Sequence, residues 1–176
     1  MNRQPDQPDQ EPGRYLDLPV GQFLAALSAP TPDPGGGAVA ALAVSLAASL
    51  CAMTASLSTR QLTGPGPDAA SLARQAAQRA GDGLATQAAL SAASDVPVRV
   101  AEIAMAVAGI AATVAASGNP AVRGDAAAAA LLASAGAQSA ALLVQINLAG
   151  AAGDGRPGRA ALLAAETDRL AGTARL

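Results

Sequence analysis

The stretch Thr31-Pro-Asp-Pro-Gly-Gly-Gly-Ala-Val-Ala-Ala-Leu-Ala-Val-Ser-Leu-Ala-Ala-Ser-Leu-Cys-Ala-Met-Thr-Ala-Ser-Leu57 decides the fold of this chain. Two prolines and three glycines form a turn, and an uninterrupted run of helix formers follows. The pattern predicts a helix over about 36–58 with its N-terminus at Gly35 to Gly37. Glycines there let the backbone reach φ > 0 and leave the first N–H groups open to a ligand. Those groups and the helix dipole favour an anion such as a carboxylate or phosphate. The alternative is a bare helix-start turn with no ligand. The turn is not a P-loop, since no Lys follows it, and it lacks the spacing of a dinucleotide fingerprint. The helix is apolar nearly all round, which predicts a central position, buried on every side.

Composition extends this to the whole chain. Its 176 residues suit one domain, Ala supplies more than a quarter of them, and aromatic residues are limited to Tyr15 and Phe23. Long periodic segments of the best helix former give an all-α class: a compact, Ala-rich bundle of about five to six helices. Residues 1–13, rich in Gln, Asp and Pro, read as a disordered tail, and 14–176 as a single helical domain.

Working outward, Pro19 opens a short helix with Phe23, Leu24 and Leu27 on its apolar face. Asp68 starts a third helix to about 93 that tolerates Gly81 and Gly83. Asp95 is the N-cap candidate of a fourth, with Pro97 in its first turn and Gly118 as the C′ residue after Ser117. Asn119-Pro120 begins a fifth helix to about Leu148, with close helix packing expected at Gly124 and Ala128. Pro157 opens the last helix, to about Ala171.

Absences exclude chemistry. There is no His, and all 11 basic residues are Arg, so imidazole catalysis, ordinary zinc sites and Schiff-base chemistry are closed. No metal or cofactor is expected. The single Cys51 sits in an apolar helix and reads as a small buried hydrophobe, which fits a reducing, cytoplasmic compartment. A net charge of −2 without a basic patch argues against nucleic acid. The run from Ala38 to Leu57 is long enough to span a bilayer, but it is mostly Ala and Ser. The later apolar segments carry Glu102, Asp125, Gln138 and Gln145, so a soluble bundle is expected.

Acid–base work therefore falls to few groups. Asp68 and Asp95 read as capping residues, and Glu102 as the partner of Arg99 at i+3. Asp82, between two glycines, is either a solvated residue or a site residue. Asp125 precedes five alanines, where the helix dipole or a functional role accounts for a lone acid. Asn147 is either a cap or a substrate-orienting amide. Asp125 and Asn147 are 22 residues apart on one helix, about 33 Å. They hold the two ends of a long ligand, or an antiparallel partner brings them together.

Leu18-Pro-Val-Gly-Gln-Phe-Leu followed by Ser28-Ala-Pro-Thr-Pro-Asp-Pro-Gly-Gly-Gly-Ala-Val-Ala-Ala41 resembles the start of the cyclodeaminase/cyclohydrolase family. That family includes the cyclodeaminase half of formiminotransferase-cyclodeaminase and bacterial methenyltetrahydrofolate cyclohydrolases. Val96-Pro-Val-Arg-Val-Ala-Glu102, Gly118-Asn-Pro-Ala-Val-Arg-Gly-Asp125 and Ile146-Asn-Leu148 agree in order, so the resemblance runs over roughly residues 16–150. It implies a homodimer acting on a one-carbon tetrahydrofolate with no further cofactor. The activities implied are hydrolysis of 5,10-methenyltetrahydrofolate to the 10-formyl form, or ring closure of 5-formiminotetrahydrofolate with loss of ammonia. Asp125 and Asp82 are the expected catalytic residues; Gly35, Gly36, Gly37, Asn119 and Asn147 are the expected substrate-binding residues. The chain departs from the family pattern at Ala38, Gly124 and Thr86, the last in place of an aromatic, and in a shorter middle segment. The alternative is thus a non-catalytic member acting as a binding or interaction dimer.

Overall fold

The computed structural model describes residues 17–31, 34–63, 66–88 and 95–175. The tail expected at 1–13 and the end of the third helix beyond Ala88 lie outside the described residues. Among the described residues there is no strand. The helices are α1 (Val20–Leu27), α2 (Gly36–Ser56), α3 (Ala69–Ala88), α4 (Val96–Ser117), α5 (Arg123–Asn147) and α6 (Arg156–Ala174), and a 3-10 turn, Pro120–Val122, leads into α5.

Local chemistry sets most of the boundaries. Gly35 is the N-cap of α2 in extended backbone, φ −111° and ψ −165°. None of Gly35, Gly36 and Gly37 takes a positive φ, so the left-handed freedom expected of them is not used. Asp68 caps α3 by accepting from the Ser71 backbone N–H at 2.6 Å. Asp95 precedes α4 without capping it; its carboxylate instead accepts from the Arg156 guanidinium at 2.7 Å. Gly118 ends α4 at φ −84°, not in the left-handed region. A Cβ there would collide with the Val114 carbonyl oxygen and lie 2.7 Å from Ser58 Oγ, so the position needs a missing side chain rather than backbone freedom. The left-handed glycines are Gly150 and Gly153, in the turn before α6.

The packing order follows from contacts. Val44 and the Ala40 carbonyl approach Gly136, and Leu143 approaches Gly36, so α2 and α5 run antiparallel. At the far end of this pair Asn119 Nδ2 donates to the Leu57 carbonyl at 3.1 Å, and the Asn119 backbone N–H donates to Ser58 Oγ at 2.9 Å. α4 is the helix that touches α2, α3, α5 and α6. It holds the centre that the sequence assigned to α2. The reason is that α2 has one face open: Val39, Leu46 and Met53 are 39%, 55% and 42% exposed. In α1, Phe23 is buried but Leu24 is 54% exposed, so the expected apolar face is only partly used.

Alanine dominates the core, with Val44, Val100, Ile103, Val107, Val114 and Val144 as its largest fully buried apolar side chains. The close approach lies at Gly136, not at Gly124, where an added Cβ would meet nothing within 4 Å. Polar links tie α6 to the bundle: Ser134 Oγ donates to Asp168 at 3.1 Å, and Arg159 pairs with Glu102, which also pairs with Arg99. Three segments, Gly36–Ser56, Val96–Ser117 and Pro120–Asn147, are long and apolar enough to cross a membrane by length and composition. Half or more of each is buried against the other helices.

Candidate functional site

The antiparallel pairing of α2 and α5 sorts the expected residues into two groups. At one end lies the N-terminus of α2, with Gly35, Gly36 and Gly37. Among the described residues no side chain caps its first N–H groups. The C-terminal turn of α5 runs past the same end, since Leu143 lies against Gly36, and Asn147 is the last residue of that helix. Asn147 is exposed, and its amide has no hydrogen-bond partner among the described residues. An uncapped helix start beside a free amide offers donors for an anionic group and a reversible donor–acceptor for a neutral one.

At the opposite end lie Asn119 and Asp125. Asn119 has a full set of structural partners: its Oδ1 accepts from the Ala121 N–H at 3.0 Å, while its amide holds the Leu57 carbonyl. These bonds fix the 3-10 turn that aims the start of α5. Asp125 stands in the first turn of α5, exposed, and no ion pair or hydrogen bond engages its carboxylate among the described residues. Arg123 is drawn away from it, with Nε donating to the Ala115 carbonyl at 2.9 Å. Among the described residues Asp125 is thus an unpaired carboxylate at the N-terminal end of a helix.

Asp82 belongs to neither end. It lies well inside α3, in a half-exposed ion pair with Arg79 at 3.3 Å. The Thr86 side chain lies outside the described residues. Asp125 and Asn147 lie near opposite ends of α5, 22 residues apart, about 33 Å at 1.5 Å per residue. One subunit does not bring them to one small ligand.

A shallow open groove of about 580 Å³ lies elsewhere, between α4 and α6. Met105, Leu162 and Leu163 line it together with Arg159 and Glu166. Its polar groups are already engaged, Arg159 with Glu102 and Glu166 with Arg169. Arg169 holds the Glu166 carboxyl below its ordinary range, chiefly by their hydrogen bond. None of the expected residues lines this groove, and sequence reasoning did not find it. Its signal is the i, i+3, i+4, i+7 spacing of Arg159, Leu162, Leu163 and Glu166 on the last helix. Burial pushes the Cys51 thiol up to about 12, which leaves it inert as a nucleophile. Among the described residues no cluster of carboxylates or thiols is set to hold a metal ion.

Residues 19–64 and 67–155 match the formiminotransferase-cyclodeaminase family, well over half of the chain. Among solved structures, the fold is similar to a formiminotetrahydrofolate cyclodeaminase from Thermotoga maritima, with a TM-score of 0.60 at 19% identity over 90% of this chain and 92% of that one. No curated protein matches. The matched residues include the turn before α2, Asp82, Asn119, Asp125 and Asn147.

Proposed function

Because the chain belongs to the formiminotransferase-cyclodeaminase family, we propose that it is an enzyme acting on a one-carbon tetrahydrofolate, as a soluble cytoplasmic homodimer. Its reaction is hydrolysis of a methenyl bridge to the formyl form, or closure of a formimino group with release of ammonia. Both pass through a tetrahedral carbon between two nitrogens. In the first, water adds to the amidinium carbon and one C–N bond then breaks. In the second, a ring-side nitrogen attacks the formimino carbon and ammonia leaves.

The observation that carries this reading beyond the family is the free carboxylate of Asp125. A base for the attacking water or amine must be unpaired and reachable, and Asp125 has these properties among the described residues. The same charge stabilises a cationic amidinium carbon electrostatically. The uncapped N–H groups at Gly35 to Gly37 suit a carboxylate of the substrate, and Asn147 suits a neutral amide or ring edge. Asp82 is the second candidate acid, and its carboxylate is ion-paired with Arg79.

The test is to follow the absorbance of 5,10-methenyltetrahydrofolate, and ammonia release from the 5-formimino compound, with and without purified protein. Acceleration of either is expected. Asp125→Asn keeps size and removes the base; turnover is expected to fall by about 10² or more with folded stability nearly unchanged. Turnover within about twofold of the parent makes Asp125 a dipole residue only. No acceleration and no folate binding leave a non-catalytic interaction dimer.

A further inference from the structure

The groove between α4 and α6 stands apart from the residues given a role in folate chemistry, none of which lines it among the described residues. Its floor is apolar. Met105 comes from α4, Leu162 and Leu163 come from α6, and Leu162 is 75% exposed. Three large apolar side chains around a recess of about 580 Å³ have the size and lining of a small-molecule site. Gly155 and Gly158 form the wall at the start of α6. An added Cβ at either meets nothing within 4 Å, and neither has a positive φ, so neither packing nor backbone calls for glycine there. What the two missing side chains leave is room.

Charge decides the class of occupant. Glu102 is shared by two guanidiniums, Arg99 at 3.2 Å and Arg159, so this trio carries one positive charge in excess. Arg159 is the member that faces the groove. Toward the other end Glu166 accepts from Arg169 through two hydrogen bonds, 2.8 and 2.6 Å, and that pair is neutral. A third cluster, Arg156 between Asp95 and Asp154, has the opposite excess, but its side chains do not line the groove among the described residues. The ligand that complements this arrangement has an apolar body and a single negative charge.

We propose that the groove binds a small amphipathic carboxylate, free in solution, with its chain over Met105, Leu162 and Leu163 and its carboxylate on Arg159. From Arg159 to Glu166 is seven residues of helix, about 10 Å. An extended octanoate, with seven C–C bonds of about 1.5 Å in a zigzag, spans about 9 Å. Burial of the chain supplies most of the affinity, and the charge selects an anion over a neutral or cationic ligand of the same length. The ion pair is open to solvent, so this selection is modest, about three- to fivefold. A recess between two helices suits a free molecule, since a flat bilayer does not enter it.

The methionines test this. Met105 lies in the groove, Met53 on the open face of α2, and Met1 begins the chain. The full chain carrying carbon-13 methionine methyl groups is titrated with octanoate at about pH 7.5, where the acid is ionised. The Met105 signal, assigned with Met105→Leu, is expected to shift to saturation while Met53 stays in place. Octanol and octyltrimethylammonium are expected to bind about three- to fivefold more weakly. Arg159→Gln is expected to bring octanoate down to the level of octanol. Glu102→Gln raises the excess charge and is expected to tighten octanoate by about two- to threefold, a gain that misfolding does not imitate. Met53 moving with Met105, equal binding of the three ligands, the same change in both variants, or no saturable shift overturns the site. A Met105 shift caused by phosphatidylglycerol vesicles and not by octanoate makes the groove a membrane contact, and one caused by protein concentration alone makes it a contact between copies; either result overturns the proposal.

Discussion

Gly136→Ala is the most discriminating test of the packing. An added Cβ at Gly136 would lie 2.6 Å from Val44 Cγ2 and 3.3 Å from the Ala40 carbonyl oxygen. Val44 has no exposed surface. Val44 or the two helices must shift, and overpacking of this kind costs about 1–3 kcal/mol. Ala gains about 1 kcal/mol over Gly in helix propensity, so the net expectation is a loss of about 0–2 kcal/mol. Gly109→Ala, inside α4, sets the scale, since a Cβ there meets nothing within 4 Å. That change is expected to stabilise by about 0.5–1 kcal/mol. Urea unfolding followed by circular dichroism at fixed protein concentration reads both as shifts of midpoint in opposite directions. Combining Gly136→Ala with Val44→Ala is expected to recover part of the loss, as a coupling between the two sites. If Gly136→Ala stabilises as much as Gly109→Ala, the α2–α5 crossing is not at this position.

Other perturbations address single contacts. Ser58→Ala removes the hydroxyl that accepts from Asn119 N–H and donates to the Thr54 carbonyl at 2.7 Å. Leaving that N–H unmet is expected to cost about 1–3 kcal/mol in urea unfolding. The side chain of Arg156, and then its backbone N–H, hold the Asp154 carboxyl below the ordinary aspartate range. The stability this contributes is whole above about pH 4 and is lost as pH falls through the lowered value. Asp154→Asn is expected to flatten that acid limb, measured as melting temperature against pH between about 5 and 2. Cys51 is expected to resist Ellman's reagent in the native protein and to react on unfolding in guanidinium, as a buried thiol raised to about 12 must.

Sequence and structure agree where the cause is local. The start of α2 after Gly35, the Asp68 cap and Pro97 in the first turn of α4 were legible because each acts on its own neighbours. The open face of α2 was not legible. Val39 and Val44 are the same residue on the same helix, yet one is 39% exposed and the other has no exposed surface. What separates them is the contact with Gly136, nearly a hundred residues on, and no periodicity records it. Asp95 failed as a cap for a similar reason, since Arg156 outbids a local N–H from a distant part of the chain. For the candidate site, the spacing of Asp125 and Asn147 along one helix could be read beforehand. The placement of Asn147 beside the glycine turn could not, because it depends on the antiparallel pairing of α2 with α5.

An interior built so largely of alanine has a thermal consequence. Each buried alanine removes only a methyl group from water, so this domain exposes less apolar surface per residue on melting than a core of leucine and phenylalanine does. The heat-capacity increment of unfolding scales with that surface and is expected to fall below the usual 12–15 cal/mol/K per residue. A small increment bends the stability curve gently. Free energy of folding then changes little over a wide span of temperature, and cold unfolding retreats far below freezing.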